Sequence, residues 1–297
     1  ALYDADLELA ARKYKQLKSL SIRKNLGSAF FNVLKPDLES RILKVKANLE
    51  KIRWFPKNWE SRHLFVNLAF QEAEVREGNR SVLKMKTVNG RPTRRTPTLR
   101  DEIRFVEPTP TWTVPFSIAV KDKLDLLKRD PKLLLNQQIW VYDLNRNVLD
   151  PFQIDWDQIN RTNFRYVLIQ QPGPHNALGL IKFPLTNPWF IYMHDTNEPH
   201  LMKESYRLRS SGCVRMEKPW ELASYLLSDQ PEWTQSKLLQ KRYSTQQIFL
   251  KQRLPVYFLY LTVQLEPTGE IRFAEDFYGQ DRRLIELFDT RGSLEKF

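Results

Sequence analysis

Between residues 3 and 56 the apolar positions recur at intervals of three and four. Leu7, Ala10, Tyr14 and Leu17 make one stripe with Asp4 as N-cap, and Leu38, Ile42, Val45, Leu49 and Ile52 make a second that Pro56 stops. The apolar patch Phe30 to Leu34 lies between them and ends at Lys35-Pro36, so two packing helices are expected. From His63 the period drops to two. His63 to Phe70 and Val82 to Val88 read as strands joined through a turn at Gly78-Asn79, with His63 as a surface or edge histidine at a strand start. Ser117 is placed to cap a helix running to about Lys128, which Asp130-Pro131 ends. Ile139 to Tyr142 and Tyr166 to Gln170 read as further strands around a polar segment from Asn145 to Asn163, and Phe190 to Met193 as a buried strand. Pro219 to Leu227 fits a helix, and Leu254 to Val263 with Ile271 to Phe273 fit a hairpin around Pro267-Thr268-Gly269. The pattern is β-rich with short helices.

Length and charge narrow the picture. A chain of 297 residues can bury one large core and a smaller one, and 41% hydrophobic with 12% aromatic residues argues for a folded protein. The 47 basic against 35 acidic residues leave a net charge of +12, which suits an anionic partner: nucleic acid, anionic lipid or a carboxylate-rich cell wall. Nucleic acid fits worst, because no recognition-helix, RNP or zinc-finger pattern accompanies the charge. The arginines at 91, 94, 95, 100 and 104 surround two prolines and read as a solvated loop or as an anion-collecting rim. No run of about 18 apolar residues is present, and Ala1-Leu2-Tyr3-Asp4 does not resemble a signal peptide.

The chemistry concentrates in two short stretches. Tyr192-Met193-His194-Asp195-Thr196 places a histidine at the end of an apolar run, and Ser210-Ser211-Gly212-Cys213-Val214-Arg215-Met216 holds the one cysteine of the chain. A lone cysteine can be a small buried hydrophobe, but the tight Ser-Ser-Gly turn and Arg215 make a polar, electropositive setting expected to lower the thiol pKa. Nucleophile and base need only meet in space. The composition of this region also raises zinc, through His194, Asp195, Glu198, His200, Glu204 and Cys213, but no familiar ligand spacing occurs among them. His200 and Glu204 read as part of a polar loop, and His175 as an exposed loop histidine.

His-x-Thr followed by Ser-x-Gly-Cys-Val-Arg resembles the signature of the L,D-transpeptidase (YkuD-like) catalytic domain. Ser-Ser-Gly-Cys, with Ser211 where the family mostly has histidine, is similar to its YcbB-like branch of Gram-negative periplasmic enzymes. Trp54-Phe55-Pro56, Val88 to Arg91 with Thr96-Pro97, Trp112 to Pro115, Gly173 to Gly179 and Asp276 to Asp281 also look like that branch, in the same order. The resemblance implies an α+β, β-rich catalytic domain with an inserted lid subdomain, preceded by a short α-helical segment. It divides the chain into 1–37, a helical fragment resembling the end of a peptidoglycan-binding module; 38–57, a linking helix; and 58–297, the catalytic domain, with a lid at about 93–137.

The resemblance further implies cross-linking of peptidoglycan between meso-diaminopimelate residues of stem peptides, without cofactor or metal. Cys213 would attack as nucleophile with His194 as base, Ser211 being unable to serve as one, and the backbone carbonyl of Asp195 would orient the imidazole. The N–H groups of Gly212 and Cys213, with the Tyr192 hydroxyl, would hold the oxyanion. Tyr192, Ser210, Ser211, Arg215 and Trp112 would contact substrate, Arg215 either as a carboxylate clamp or as a structural ion pair, and carbapenems would acylate Cys213. Implied partners are stem peptides and other cell-wall synthesis enzymes. The implied location is the periplasm, with membrane attachment only through an anchor outside these residues. The residues alone leave a cysteine hydrolase (an L,D-carboxypeptidase or amidase) and a non-catalytic wall-binding protein open.

Overall fold

The computed structural model describes residues 28–240 and 244–294. Two compact units divide it, one holding Pro56–Gln280 and the other the flanking segments Ala1–Phe55 and Asp281–Phe297. In the flanking unit a helix spans Ser28–Arg53, and it passes through Lys35-Pro36 without the expected break. The first predicted stripe, at residues 7–17, lies outside the described residues. Lys51 is buried and ion-paired with Asp281, which opens the helix Gln280–Leu294.

The Pro56–Gln280 unit begins with β1 (Arg62–Asn67), β2 (Glu72–Glu77), β3 (Arg80–Gly90) and β4 (Leu99–Pro108). A second group follows: β5 (Trp112–Thr113), β6 (Ile139–Tyr142), β7 (Val148–Leu149) and β8 (Val167–Gln170). The chain then returns to the first sheet with β9 (Ile181–Phe183), β10 (Met193–His194), β11 (Leu208–Ser210), β12 (Val214–Met216) and β13 (Ile248–Leu259), and ends in a hairpin of β14 (Val263–Leu265) and β15 (Ile271–Phe273). The large sheet has nine strands in the order β11-β3-β12-β10-β9-β4-β13-β1-β2. It closes on itself because the long β3 pairs with β2 through its first half and with β12 and β11 through its second.

Its core face is apolar. Leu64, Val66, Ile103, Val106, Val256 and Phe258 are fully buried there, and the helix Pro219–Leu226 covers them with Leu222, Ala223 and Leu226. β1 is flanked by β13 and β2, so His63 is buried rather than at an edge: it meets the stacked rings of Trp59 and Tyr257 edge-on, with Nδ1 2.6 Å from the Glu60 carbonyl.

The smaller sheet, in the order β5-β8-β6-β7, has a core of its own built from Val114, Leu124, Leu127, Ile139, Trp156 and Leu168. Consecutive helical turns from Phe116 to Arg129 lie on it; they start at Pro115, and Ser117 does not cap them. The expected lid bounds of 93–137 therefore need correction. Leu99–Pro108 is a strand of the large sheet, while the second core continues through the segment read as polar, where Trp156 is buried and donates its indole N–H to the Pro151 carbonyl at 2.7 Å.

The loop between β3 and β4 folds back onto β3. Thr96 Oγ1 accepts from the Gly90 N–H at 2.9 Å and donates to the Gly212 carbonyl at 2.7 Å, and the buried Tyr278 hydroxyl donates to the Gly90 carbonyl at 2.5 Å. A Cβ on Gly90 would stand 2.3 Å from the Arg94 carbonyl oxygen and 2.5 Å from the Thr96 nitrogen, both main-chain atoms that cannot swing aside. Gly90→Ala is expected to destabilise the unit by about 1–3 kcal/mol, the usual cost of overpacking. Chemical denaturation checks this; an unchanged midpoint would mean that the loop yields freely.

Candidate active site

The site is set by strand register. β10 pairs in parallel with β12 (Met193 opposite Val214, His194 opposite Arg215) and antiparallel with β9 (Met193 opposite Phe183, His194 opposite Lys182). Side chains alternate faces along a strand. Met193, Phe183 and Val214 are fully buried on the core side, which leaves His194, Lys182 and Arg215 together on the other. Two residues earlier Tyr192 and Cys213 emerge on that same face, and the Val214 N–H to Tyr192 carbonyl bond of 3.1 Å keeps the ladder closed beside them. This face floors a cleft of about 1520 Å³, walled by Trp112, Phe116 and Phe164 of the smaller sheet's region and by Trp189 and Phe190. Phe190 itself departs from the buried strand expected for it, being 79% exposed with φ +56°.

His194 is buried, and its Nδ1 lies 2.5 Å from the Asp195 carbonyl. A carbonyl only accepts, so the neutral ring carries its proton on Nδ1 and its lone pair on Nε2. Burial, then the positive charges of Arg215 and Lys182, push its pKa down to about 3 against the opposing pull of the Asp195 and Leu178 carbonyls. The Asp195 carboxylate serves elsewhere, accepting from the Leu180 N–H at 2.9 Å and bracing the loop before β9. In that loop Asn176 is buried and donates to the carbonyls of Pro110 and Gln171, both at 3.0 Å.

Cys213 is half-buried by surface area, yet its sulfur sits deep enough for burial to push the thiol up to about 11. The electropositive setting exists, since hydrogen bonds from Tyr192 and the charges of Lys182 and Arg215 all act downward, but desolvation outweighs them. The lowered thiol pKa expected from Ser-Ser-Gly and Arg215 is thus reversed. The Cys213 thiol faces the Phe190 carbonyl at 3.9 Å, the Tyr192 side chain acts on it in the sense that favours thiolate, and the Trp112 indole acts on Tyr192 in turn.

The Ser-Ser-Gly turn is wired internally. The Ser210 hydroxyl donates to the Cys213 carbonyl at 2.6 Å and accepts from the Gly212 N–H at 3.1 Å. Gly212 was expected to offer that N–H to an oxyanion; Ser210 already holds it, which leaves the Ser211 and Cys213 N–H groups as the turn's donors without a partner among the described residues. Gly212 is needed for shape instead, having φ +129° and an added Cβ 2.7 Å from Ile191 Cδ1. Ser211 accepts from Arg94 Nη1 at 3.0 Å, and the same guanidinium forks onto Asp122 at 2.5 and 2.6 Å.

Of the two expected roles for Arg215 the structure has the ion pair: Nη1 meets Glu198 at 2.5 Å. Lys182 is paired with Glu107 at 3.6 Å and lies 4.9 Å from the Tyr192 ring centre. Of the residues weighed for zinc, Glu198 is thus tied to Arg215, and Glu204 to Arg209 at 2.8 Å, while His200 lies in the helical turn Pro199–Lys203. Sequence reasoning missed Lys182 and Glu107, and it named Glu198 and Arg94 only in other roles, as a residue weighed for zinc and as part of an arginine-rich loop or rim. Only Lys182 carried a signal, as a polar residue between two apolar ones in Ile181-Lys182-Phe183.

Comparison with known proteins agrees with this arrangement. The L,D-transpeptidase catalytic domain family (YkuD) matches residues 61–238. The chain is 32% identical over 257 residues to a Haemophilus influenzae protein named "Putative L,D-transpeptidase", covering 85% of this chain and 51% of that one. It therefore spans about half the length of that relative. Superposition on solved structures is slight: an L,D-transpeptidase from Mycobacterium smegmatis gives a TM-score of 0.32 at 12% identity, over 67% of this chain and 58% of that one. The ertapenem-acylated catalytic domain of an Enterococcus faecium L,D-transpeptidase gives 0.30 at 12%, over 68% and 99%. By the family match over more than half its length, with the histidine and cysteine motifs on adjacent strands, the chain belongs to the L,D-transpeptidase catalytic domain family.

Proposed function

We propose that the chain cross-links peptidoglycan, forming bonds between meso-diaminopimelate residues of stem peptides through a thioester on Cys213. The observation that carries this reading is the placement of Cys213 and His194 on one face of two paired parallel strands. In the resting site both reacting groups are neutral, which favours general-base attack over a preformed thiolate. The Cys213 sulfur attacks the donor carbonyl as its proton passes to His194 Nε2, and the Cys213 N–H holds the oxyanion. The carbon–nitrogen bond then breaks, and His194 returns the proton to the departing D-alanine amine. In the second half an acceptor amine attacks the thioester, His194 takes its proton, and the thiol is regenerated.

The likeness to the YcbB-like branch supports a periplasmic location for the parent protein, with a membrane anchor beyond these residues. Purified protein incubated with disaccharide-tetrapeptides tests the reading, with products followed by mass spectrometry. Dimers linked through diaminopimelate support it, free tripeptide would make the enzyme a hydrolase, and unchanged substrate would make it a binder. Cys213→Ala and His194→Ala should each abolish dimer formation.

The neutral pair predicts a particular pH dependence. A thiol that titrates near 11 is mostly protonated at pH 7, and a histidine that titrates near 3 is already neutral there. Alkylation of Cys213 by iodoacetamide should therefore keep rising from pH 7 to pH 10, roughly tenfold per unit while thiolate is scarce. A plateau beginning below pH 7 would indicate a preformed thiolate and overturn the neutral-pair mechanism.

Trp112 reaches the chemistry through Tyr192. Trp112→Phe keeps an aromatic wall and deletes the indole N–H, and it is expected to slow carbapenem acylation of Cys213 by about tenfold, one buried hydrogen bond's worth. Melting temperature should stay within a few degrees of wild type. Stopped-flow and intact-mass measurements check this; an unchanged acylation rate would leave Trp112 as wall alone.

A further inference from the structure

The cleft floor presents positive charge that is already spoken for. Arg215 is paired with Glu198, Lys182 with Glu107, and Lys123 donates to the Gln137 side-chain Oε1 at 2.8 Å. Two other cations line the same cleft, Arg146 and Arg165, and neither guanidinium has a partner among the described residues. Both leave the smaller sheet at one end. β6 and β8 are antiparallel and pair out to Tyr142 opposite Val167, so the turn after β6 and the run before β8 emerge side by side. Phe164 is buried and packs edge-on against Tyr166 at 5.6 Å, which turns Arg165 between them outward.

Arg146 is held in an uncommon backbone state. Its φ is +68°, a region that favours glycine or asparagine over a long side chain. The surrounding turn fixes it there: the Arg146 N–H donates to the Asp143 carbonyl at 3.2 Å, and the Asp143 carboxylate accepts from the Asn147 N–H at 2.8 Å and its side-chain amide at 2.9 Å. An arginine kept at a strained turn position, unpaired and lining the cleft that holds the Cys213 thiol, is an outlier of the kind found at ligand clamps.

We propose that Arg146 and Arg165 form the carboxylate-recognition site for the donor stem peptide, the part first expected of Arg215. The inference rests on the transpeptidase reading of Cys213. Guanidinium groups suit the task, because their planar N–H forks match a carboxylate edge to edge and stay charged at any working pH. Carried on the smaller sheet rather than beside Cys213, the pair grips the peptide away from the reacting carbonyl and so acts on binding more than on chemistry.

The test isolates the donor half-reaction by following thioester formation on Cys213 without acceptor, using intact mass at several tetrapeptide concentrations. Arg146→Gly relieves the backbone strain, so its melting temperature should be no lower than wild type. It and Arg165→Ala should each raise the half-saturating concentration about tenfold, what one charge-assisted hydrogen bond carries, with the limiting rate little changed. With a tetrapeptide whose diaminopimelate carboxylate is converted to a carboxamide, wild type should weaken at least as much as either variant does, and a variant carrying both substitutions should weaken no further. Wild-type saturation in both single variants, or a further loss of the double variant on the amidated donor, would overturn the assignment. Absence of any thioester in wild type would overturn the transpeptidase reading and this site with it.

Discussion

The parallel pairing of β10 with β12 is the constraint on which the site depends. It places His194 beside Arg215 and, two positions back, Tyr192 beside Cys213, while Met193 and Val214 turn into the core. A slip of one residue in either strand would send the reactive side chains inward and the methionine or valine into the cleft. The burial of Met193, Phe183 and Val214 opposes that slip, so the hydrophobic core fixes the geometry of the polar face. The Thr96 and Tyr278 hydroxyls brace the turn from behind, through the carbonyls of Gly212 and Gly90.

Burial also sets the protonation states. Lys182 and Arg215 would favour a thiolate, and they equally disfavour an imidazolium. Each of those cations is matched by its own carboxylate, Glu107 or Glu198, which tempers the positive field without placing a negative charge next to the sulfur. Desolvation then decides, and it keeps both reacting groups neutral. A neutral thiol is less prone to oxidation than a thiolate.

The region of the smaller sheet is tied to the Ser-Ser-Gly-Cys turn by a polar chain from Asp122 through Arg94 to the Ser211 hydroxyl, and Trp112 acts on Tyr192, which in turn acts on the Cys213 thiol. The Ser211 hydroxyl accepts from the Arg94 guanidinium at 3.0 Å. The region expected to be a cover over the cleft is thus also part of how the reactive turn is positioned.

Much of this was legible in the sequence. His194 and Cys213 could be singled out because the apolar run, the Ser-Ser-Gly turn and the following arginine are local patterns, and local patterns reflect local backbone chemistry. The β-rich character, the helix at Pro219 and the glycine at 212 were readable for the same reason. Other features were not. The continuous helix through Pro36, the burial of Trp156 in a segment that reads as polar, and His63 on an inner strand all depend on which neighbours cover a residue. The sequence likewise determined that Arg215 and Gly212 would flank the thiol, but only tertiary structure decided that Glu198 takes the guanidinium and Ser210 takes the N–H. Above all, the sign of the thiol's shift was set by desolvation, which depends on every atom packed around the sulfur and is carried by no single residue in the chain.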